Sequence, residues 1–200
     1  MSISLAIDTS TSRTSVAIVD EGAILWHGFR DGGTAHGHAL PALVAEALIA
    51  QGSIDKVVVG MGPGPYTGLR VGISFARSFA LARGIEVIGL CSLDAIATQV
   101  RERNDFIIAT DARRKEVYWA QYSNGARMTE PSVDFPADVA LKGLPMFGEG
   151  ALKYLLTADD EVQFPDVVAL VELAKNPDLH IQLPIYLRRP DAVPTSERTP

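Results

Sequence analysis

The chain has 200 residues, of which 47% are hydrophobic, 21% charged and 7% aromatic, and its formal net charge is −6 at pH 7. This composition excludes a largely disordered chain, and the length allows one ordinary domain or two small ones. The acidity argues against a surface that grips nucleic acid unaided, because neutralising phosphates needs clustered Lys and Arg.

Cys91 is the only cysteine, which rules out an internal disulfide and a cysteine-based zinc site and fits a reducing cytosol. No basic region followed by an apolar run marks a secretory signal, and no apolar stretch approaches the roughly 20 residues of a membrane span. The expectation is a cytoplasmic protein that does not engage membranes.

In chain order, Ile3 to Asp8 alternates towards the polar run Thr9-Ser10-Thr11-Ser12, and Ser15 to Val19 and Ile24 to Phe29 continue as strands. His38 to Gln51 reads as a helix ended by Gly52, and Lys56 to Gly60 as a β-branched strand. The run Gly60-Met61-Gly62-Pro63-Gly64-Pro65 excludes regular structure, and a second helix follows from about Leu69 to Arg83, stopping at Gly84. Glu86 to Leu90 is another strand. Ser92 is placed to cap a helix reaching Arg101, with Asp94 near its positive end.

The pattern then begins again. Phe106 to Asp111 is a strand closed by an aspartate, Glu116 to Tyr122 a second, and Asn124-Gly125 predicts a hairpin into a third strand over Ala126 to Glu130. Ala137 to Leu141 reads as a short helix, Pro145 to Gly148 as a strand and Pro165 to Lys175 as a helix. Three strands, a helix, a strand and a helix, written twice, predict an α/β fold of two related lobes meeting at a cleft. The first lobe would span 1–103 and a reduced second lobe 104–190, with their boundary near Arg103 to Asp105. The Pro-, Ser- and Thr-rich run 191–200 predicts a disordered tail.

Asp8 and Asp111 close the first strand of each repeat, where two carboxylates could hold Mg²⁺ and position a phosphate. Such chemistry wants glycines after each aspartate, so that backbone N–H groups approach the phosphates. Here Asp8 precedes Thr9-Ser10-Thr11-Ser12-Arg13 and Asp111 precedes Ala112-Arg113-Arg114-Lys115, which favours simple turn residues. A residual nucleotide cleft would use Asp8, Thr9, Ser10, Asp111, Gly148 and Gly150. His36 and His38 diverge at a helix start and lack further ligands, so no metal site is expected. Gly62 to Gly68 follows a strand and precedes a helix, but its prolines remove donors that a phosphate would use. It reads as a rigid loop presenting Tyr66, Thr67, Leu69 and Arg70.

Both helices of the first lobe are apolar all round. A helix on one face of a sheet should carry one polar face. Each therefore buries a second side, either under the other lobe or, as the favoured reading, at an interface with a partner or a second copy, using Tyr66, Leu69, Arg70, Ile73, Phe75, Arg77, Phe79, Leu40 and Leu43.

LAIDTSTSRTSVAIVD, VVVGMGPGPYTGLRVGISFARSFALA and PIYLR, which together cover about residues 3 to 188, resemble the TsaB (YeaZ) family. That resemblance implies an actin-like, Hsp70-like (ribonuclease H-like) two-lobed fold with a duplicated βββαβα unit. It also implies a non-catalytic scaffold role in making threonylcarbamoyladenosine in tRNAs that read ANN codons. The implied partners are a TsaD-like transferase and a TsaE-like ATPase, with a homodimer when alone, tRNA held only indirectly and no cofactor required. The H-x-x-x-H metal motif of the TsaD branch is absent. The competing expectation is a small ATP-dependent phosphotransferase that uses Asp8 and Asp111.

Overall fold

The computed structural model describes residues 2–101 and 104–188; Arg103 and the expected tail 191–200 lie outside them. Two sheets organise the chain. The first runs in the order β3-β2-β1-β4-β5 and is built from β1 (Ile3–Asp8), β2 (Arg13–Asp20), β3 (Ala23–Asp31), β4 (Lys56–Gly60) and β5 (Glu86–Leu90). β1, β2 and β3 are antiparallel, and β4 and β5 run parallel to β1. The second sheet holds β6 (Phe106–Asp111), β7 (Val117–Ser123), β8 (Ala126–Arg127), β9 (Ser132–Asp134) and β10 (Met146–Phe147), with β6 between β7 and β10.

Alternation in β1 sends Leu5 and Ile7 to one face of the first sheet and Ala6 to the other. On the Leu5 face lie α1 (His36–Ala50) and α2 (Tyr66–Arg83), whose Leu40, Leu43, Leu69 and Ile73 close the core. α2 ends where expected. Gly84 takes the left-handed conformation at φ 66° and its N–H returns to the Ala80 and Leu81 carbonyls. α3 (Ser92–Ala97) lies between the sheets, with Ala95 packed under the first and Leu93 and Ile96 against Phe106 and Tyr122 of the second. α4 (Pro136–Ala140) and α5 (Glu149–Lys153) cover the outer face of the second sheet, where Val139 and Ala151 meet Ile107 and Trp119.

α6 (Val167–Leu173) leaves the second sheet. Its Val167, Leu170 and Val171 pack on Ala6, Ala17 and Val58 of the first, away from the strands of the expected second lobe. Beyond α6, the Ile181 N–H donates to the Gly89 carbonyl and the Ile185 N–H to Met61, both at 2.8 Å. Tyr186 packs on Tyr66 with ring centroids 5.0 Å apart, and the Arg188 guanidinium donates to the Ala112 carbonyl at 2.9 Å and pairs with Glu116. The PIYLR segment thus stitches the first sheet to the turn of the second.

The helix expected from Ser92 to Arg101 ends at Ala97, because Thr98 Oγ1 and Gln99 Nε2 both donate to the Ala95 carbonyl. Cys91, not Ser92, takes the N-cap position, the Ser92 hydroxyl donates to Asp8 instead, and Asp94 is buried, accepting from the Tyr122 hydroxyl at 2.7 Å and lying 3.2 Å from Arg127 Nε. Asn124-Gly125 forms the expected tight turn, with φ of 50° and 79°. The third strand, expected over Ala126 to Glu130, is broken into β8 and β9 because Pro131 lacks the N–H that a continuous ladder needs. Among the described residues no helix is long and apolar enough to cross a membrane.

Candidate functional site

The strand ends of both sheets converge on a cleft, and each expected phosphate-site residue there is already in use. Asp8 is 2% exposed. Its Oδ1 accepts from the Ser10 N–H at 2.8 Å and the Ser10 hydroxyl at 2.7 Å, and its Oδ2 accepts from the Ser92 hydroxyl at 2.6 Å. Behind it lies Gly60, where a Cβ would stand 1.8 Å from Oδ2. Burial pushes the Asp8 carboxyl above its ordinary pKa, against the lowering pull of these hydrogen bonds.

Thr9 and Ser10 are covered by the glycine-proline loop and the start of α2. Thr9 Oγ1 donates to the Gly68 carbonyl at 2.7 Å and accepts from the Gly72 N–H at 3.1 Å. A Cβ at Gly64 would fall 2.3 Å from the Ser10 carbonyl. Gly64, Gly68 and Gly72, spaced four apart, therefore let this segment lie flat on the β1–β2 turn. His36 is buried too, with its Nδ1 2.8 Å from Thr14 Oγ1, whereas His38 is exposed. Burial, opposed by a hydrogen bond with Thr11 and assisted by nearby Arg113, holds the His36 pKa below its ordinary value.

From the second sheet, Asp111 Oδ1 accepts from the Arg113 N–H at 3.0 Å, and Oδ2 pairs with Lys153 Nζ at 2.9 Å. Gly148 and Gly150 do not border an open loop. They allow α5 to press on β6, since a Cβ at Gly148 would lie 2.4 Å from the Ala109 carbonyl and one at Gly150 2.7 Å from the Thr110 carbonyl carbon. Between them, Glu149 reaches across the cleft, and its carboxylate accepts from the Ser12 hydroxyl and the Ser12 N–H. Burial raises the Glu149 pKa, and Asp111 nearby adds to the rise, while the Ser12 hydrogen bonds oppose it. A carboxylate thus sits on the backbone donor that a phosphate would take.

These residues do not fit a magnesium–phosphate group. Asp8 is saturated from within the chain, Asp111 is neutralised by Lys153, and the Ser12 donor carries Glu149. Among the described residues no three His, Cys, Asp or Glu side chains gather as metal ligands. Ser12, Ser92, Glu149 and Lys153 are absent from the residues that sequence reasoning selected. Only the Gly-Glu-Gly spacing hinted at Glu149.

The helix-pair residues separate into two groups. Leu40, Leu43, Leu69 and Ile73 point into the core of their own lobe and present no surface to a partner. Arg70 and Arg77 are exposed and Tyr66, Phe75 and Phe79 half-buried. Arg77 donates to the Gln182 carbonyl at 3.0 Å, and Phe75 stacks on Phe79 at 6.1 Å. The outward apolar residues that the sequence did not single out are Ile49, 88% exposed, and Leu81, 85% exposed. Arg83 ties the two helix ends together by donating to the Gly52 carbonyl at 3.1 Å.

Two mixed sheets, each opened by a strand that ends in aspartate and each flanked by helices, with a cleft between them, define the two-lobed actin-like class. Within it the TsaD family model, described as tRNA N6-adenosine threonylcarbamoyltransferase, matches residues 33–178. A Mycobacterium tuberculosis protein described only as uncharacterised is 41% identical over 95% of this chain and 93% of its own. The Escherichia coli tRNA threonylcarbamoyladenosine biosynthesis protein TsaB is 35% identical over 59% of this chain and 54% of its own length. The crystal structure of YeaZ from Pseudomonas aeruginosa superposes with a TM-score of 0.72 at 26% identity, covering 94% of this chain and all of that one (100%). The chain belongs to the TsaB (YeaZ) family.

Proposed function

We propose that this chain is a non-catalytic scaffold subunit in the formation of threonylcarbamoyladenosine on tRNA. It would pair with a TsaD-like transferase paralogue, joined by a TsaE-like ATPase, and with a second copy of itself when alone. One observation carries the non-catalytic reading: Glu149 bridges the cleft to Ser12 while Asp8 and Asp111 are held by Ser10, Ser92 and Lys153. A phosphotransferase would need those carboxylates and donors available to metal and phosphate. The tRNA role is supported by the family and by the names its E. coli and Bacillus subtilis members carry. The surface offered to the partner is the outer side of α1 and α2, with Ile49, Leu81, Phe75, Phe79 and Arg70.

Affinity purification of the tagged chain from its own lysate, with mass spectrometry, tests this. The expected result is a larger paralogue carrying an H-x-x-x-H motif, lost in Ile49→Asp/Leu81→Asp. Both positions are exposed, so this variant keeps the fold, whereas Ile73→Asp would place an unpaired charge in the core. Recovery of the chain alone would overturn the scaffold reading. Mg²⁺-dependent ATP turnover abolished by Asp8→Asn would establish the phosphotransferase instead.

A further inference from the structure

We propose that the free edge of β3 accepts an extended, basic and apolar segment of another protein as a sixth strand of the first sheet. The sheet ends on β3, and no strand pairs with its outer side among the described residues. β3 is 9 residues long, and only Trp26 and Gly28 are even half-buried. Its middle, Ile24-Leu25-Trp26-His27-Gly28, carries no Lys, Arg, Asp, Glu or Pro, the residues that ordinarily protect such an edge. At the far end the Arg30 guanidinium already covers the Phe29 carbonyl at 2.9 Å, which leaves Ile24 to Gly28 as the stretch for pairing.

A side-chain groove runs beside that stretch. β3 bulges at Leu25, because Ile18 faces Trp26 while Val19 faces Ile24. The extra residue turns Ile24 onto the face that His27 and Phe29 share, and all three line a groove of about 370 Å³. Phe164, Pro165 and Val168 complete its apolar wall. The Arg13 guanidinium ties the two sides together, 3.9 Å from the Phe29 ring and 4.0 Å from the Phe164 ring. His27 stands opposite Ala17, which packs with α6, so the groove lies on the sheet face away from α1 and α2. An added strand gains backbone hydrogen bonds from the edge and seats alternate side chains in the groove. The bulge twists the edge, which favours a short segment over a long ladder.

Charge selects the occupant. Among the described residues Arg13 is the only Lys or Arg lining the groove, and Asp31 holds it at 2.7 Å. Glu161 and Asp166 also line it, and Glu161 closes the exposed run Asp159-Asp160-Glu161. The groove is therefore net acidic and favours a strand whose groove-facing side chains combine apolar residues with Lys or Arg. A second copy of this chain fits poorly. The cation of its β3, Arg30, is held by Glu46 at 3.0 Å, and it brings the same net charge of −6.

The test uses the full chain and a fluorescein-labelled peptide, Thr-Lys-Thr-Val-Thr-Val-Thr-Lys-Thr, which sets its lysines and valines on one face of a strand. Anisotropy is read in about 20 mM KCl, where exposed charges are weakly screened, and amide hydrogen exchange reports the edge. Binding is expected to slow exchange within Ile24 to Gly28. Ile24→Lys, at a position 57% exposed, should weaken binding about tenfold or more, as should exchanging the peptide lysines for glutamate or N-methylating its backbone. Glu161→Lys, outside any strand, should weaken the lysine peptide and strengthen the glutamate one. Ile49→Lys on α1 should change binding no more than about twofold, and unchanged melting temperatures show the variants folded. No binding by the wild type, equal losses in Ile24→Lys and Ile49→Lys, no effect of Glu161→Lys, or undiminished binding of the N-methylated peptide overturns the proposal. Exchange at Ile24 to Gly28 that slows with protein concentration alone overturns it too, and assigns the edge to a second copy. None of these readouts uses capture of the paralogue, so failure of the scaffold reading is seen separately.

Discussion

Replacing Glu149 probes the contact that spans the two sheets. In Glu149→Ala, the Ser12 N–H and hydroxyl lose a charged acceptor. Hydrogen bonds to charged groups contribute about 1.5–3 kcal/mol each, and the burial that raises the Glu149 pKa offsets part of this, leaving an expected loss of about 2 kcal/mol. Glu149→Gln keeps an acceptor oxygen but removes the charge. The sign of its pH dependence follows from the raised pKa. The unfolded chain releases the Glu149 proton at lower pH than the folded one, so wild-type stability falls as pH rises from the ordinary glutamate value through the raised folded value, then levels. Asp8, raised by burial as well, acts in the same direction in both proteins and cancels in the comparison. Urea unfolding should therefore show Glu149→Gln gaining on the wild type between pH 4.5 and 7.5, while Glu149→Ala stays below it at pH 7.5. Amide exchange at Ser12 should accelerate in the alanine variant. An alanine variant within 0.5 kcal/mol of wild type, with Ser12 exchange unchanged, would refute the bridge as a working contact.

Leu43→Ala, which opens a cavity in a fully buried site, should lower stability by about 3 kcal/mol in urea, while Ile49→Asp one helical side away should shift it by less than about 0.5 kcal/mol. Gly64→Ala should unfold at markedly lower temperature, because its Cβ would meet the Ser10 carbonyl and only backbone movement could relieve the clash. His36, held below its ordinary pKa by burial, should stay neutral in the fold, so stability is lost as pH drops below about 6.5; His36→Gln should flatten that part of the urea-midpoint profile. Burial lifts the Cys91 thiol to about 12, so iodoacetamide at pH 8 should label it only after urea is added.

Much of the first sheet was legible because its signals are local. The alternation of Ile3 to Asp8, the β-branched run before Gly60 and the glycine that stops α2 each specify an element without reference to distant residues. Asp8 and Asp111 were likewise readable as strand ends facing a cleft. What failed depended on partners far along the chain. A helix apolar on every side does not say which side turns inward, and so Leu40, Leu43, Leu69 and Ile73 were assigned outward when the sheet takes them. Ser92 read as a cap because its acceptor, Asp8, lies 84 residues away. Glu149 was not selected because its partner, Ser12, lies 137 residues away. α6 read as part of the second repeat because nothing in its own residues records that Ala6 and Ala17 need a cover.

The return of α6 and the PIYLR segment to the first sheet bears on how the protein is made. On the ribosome, β1 to α2 emerge early and can pair, but Ala6, Ala17 and Val58 stay open to water until Val167, Leu170 and Val171 follow. For most of translation the nascent chain therefore carries an uncovered apolar sheet face that trigger-type chaperones would recognise. A product cut before α6 would keep Ala6, Ala17 and Val58 uncovered.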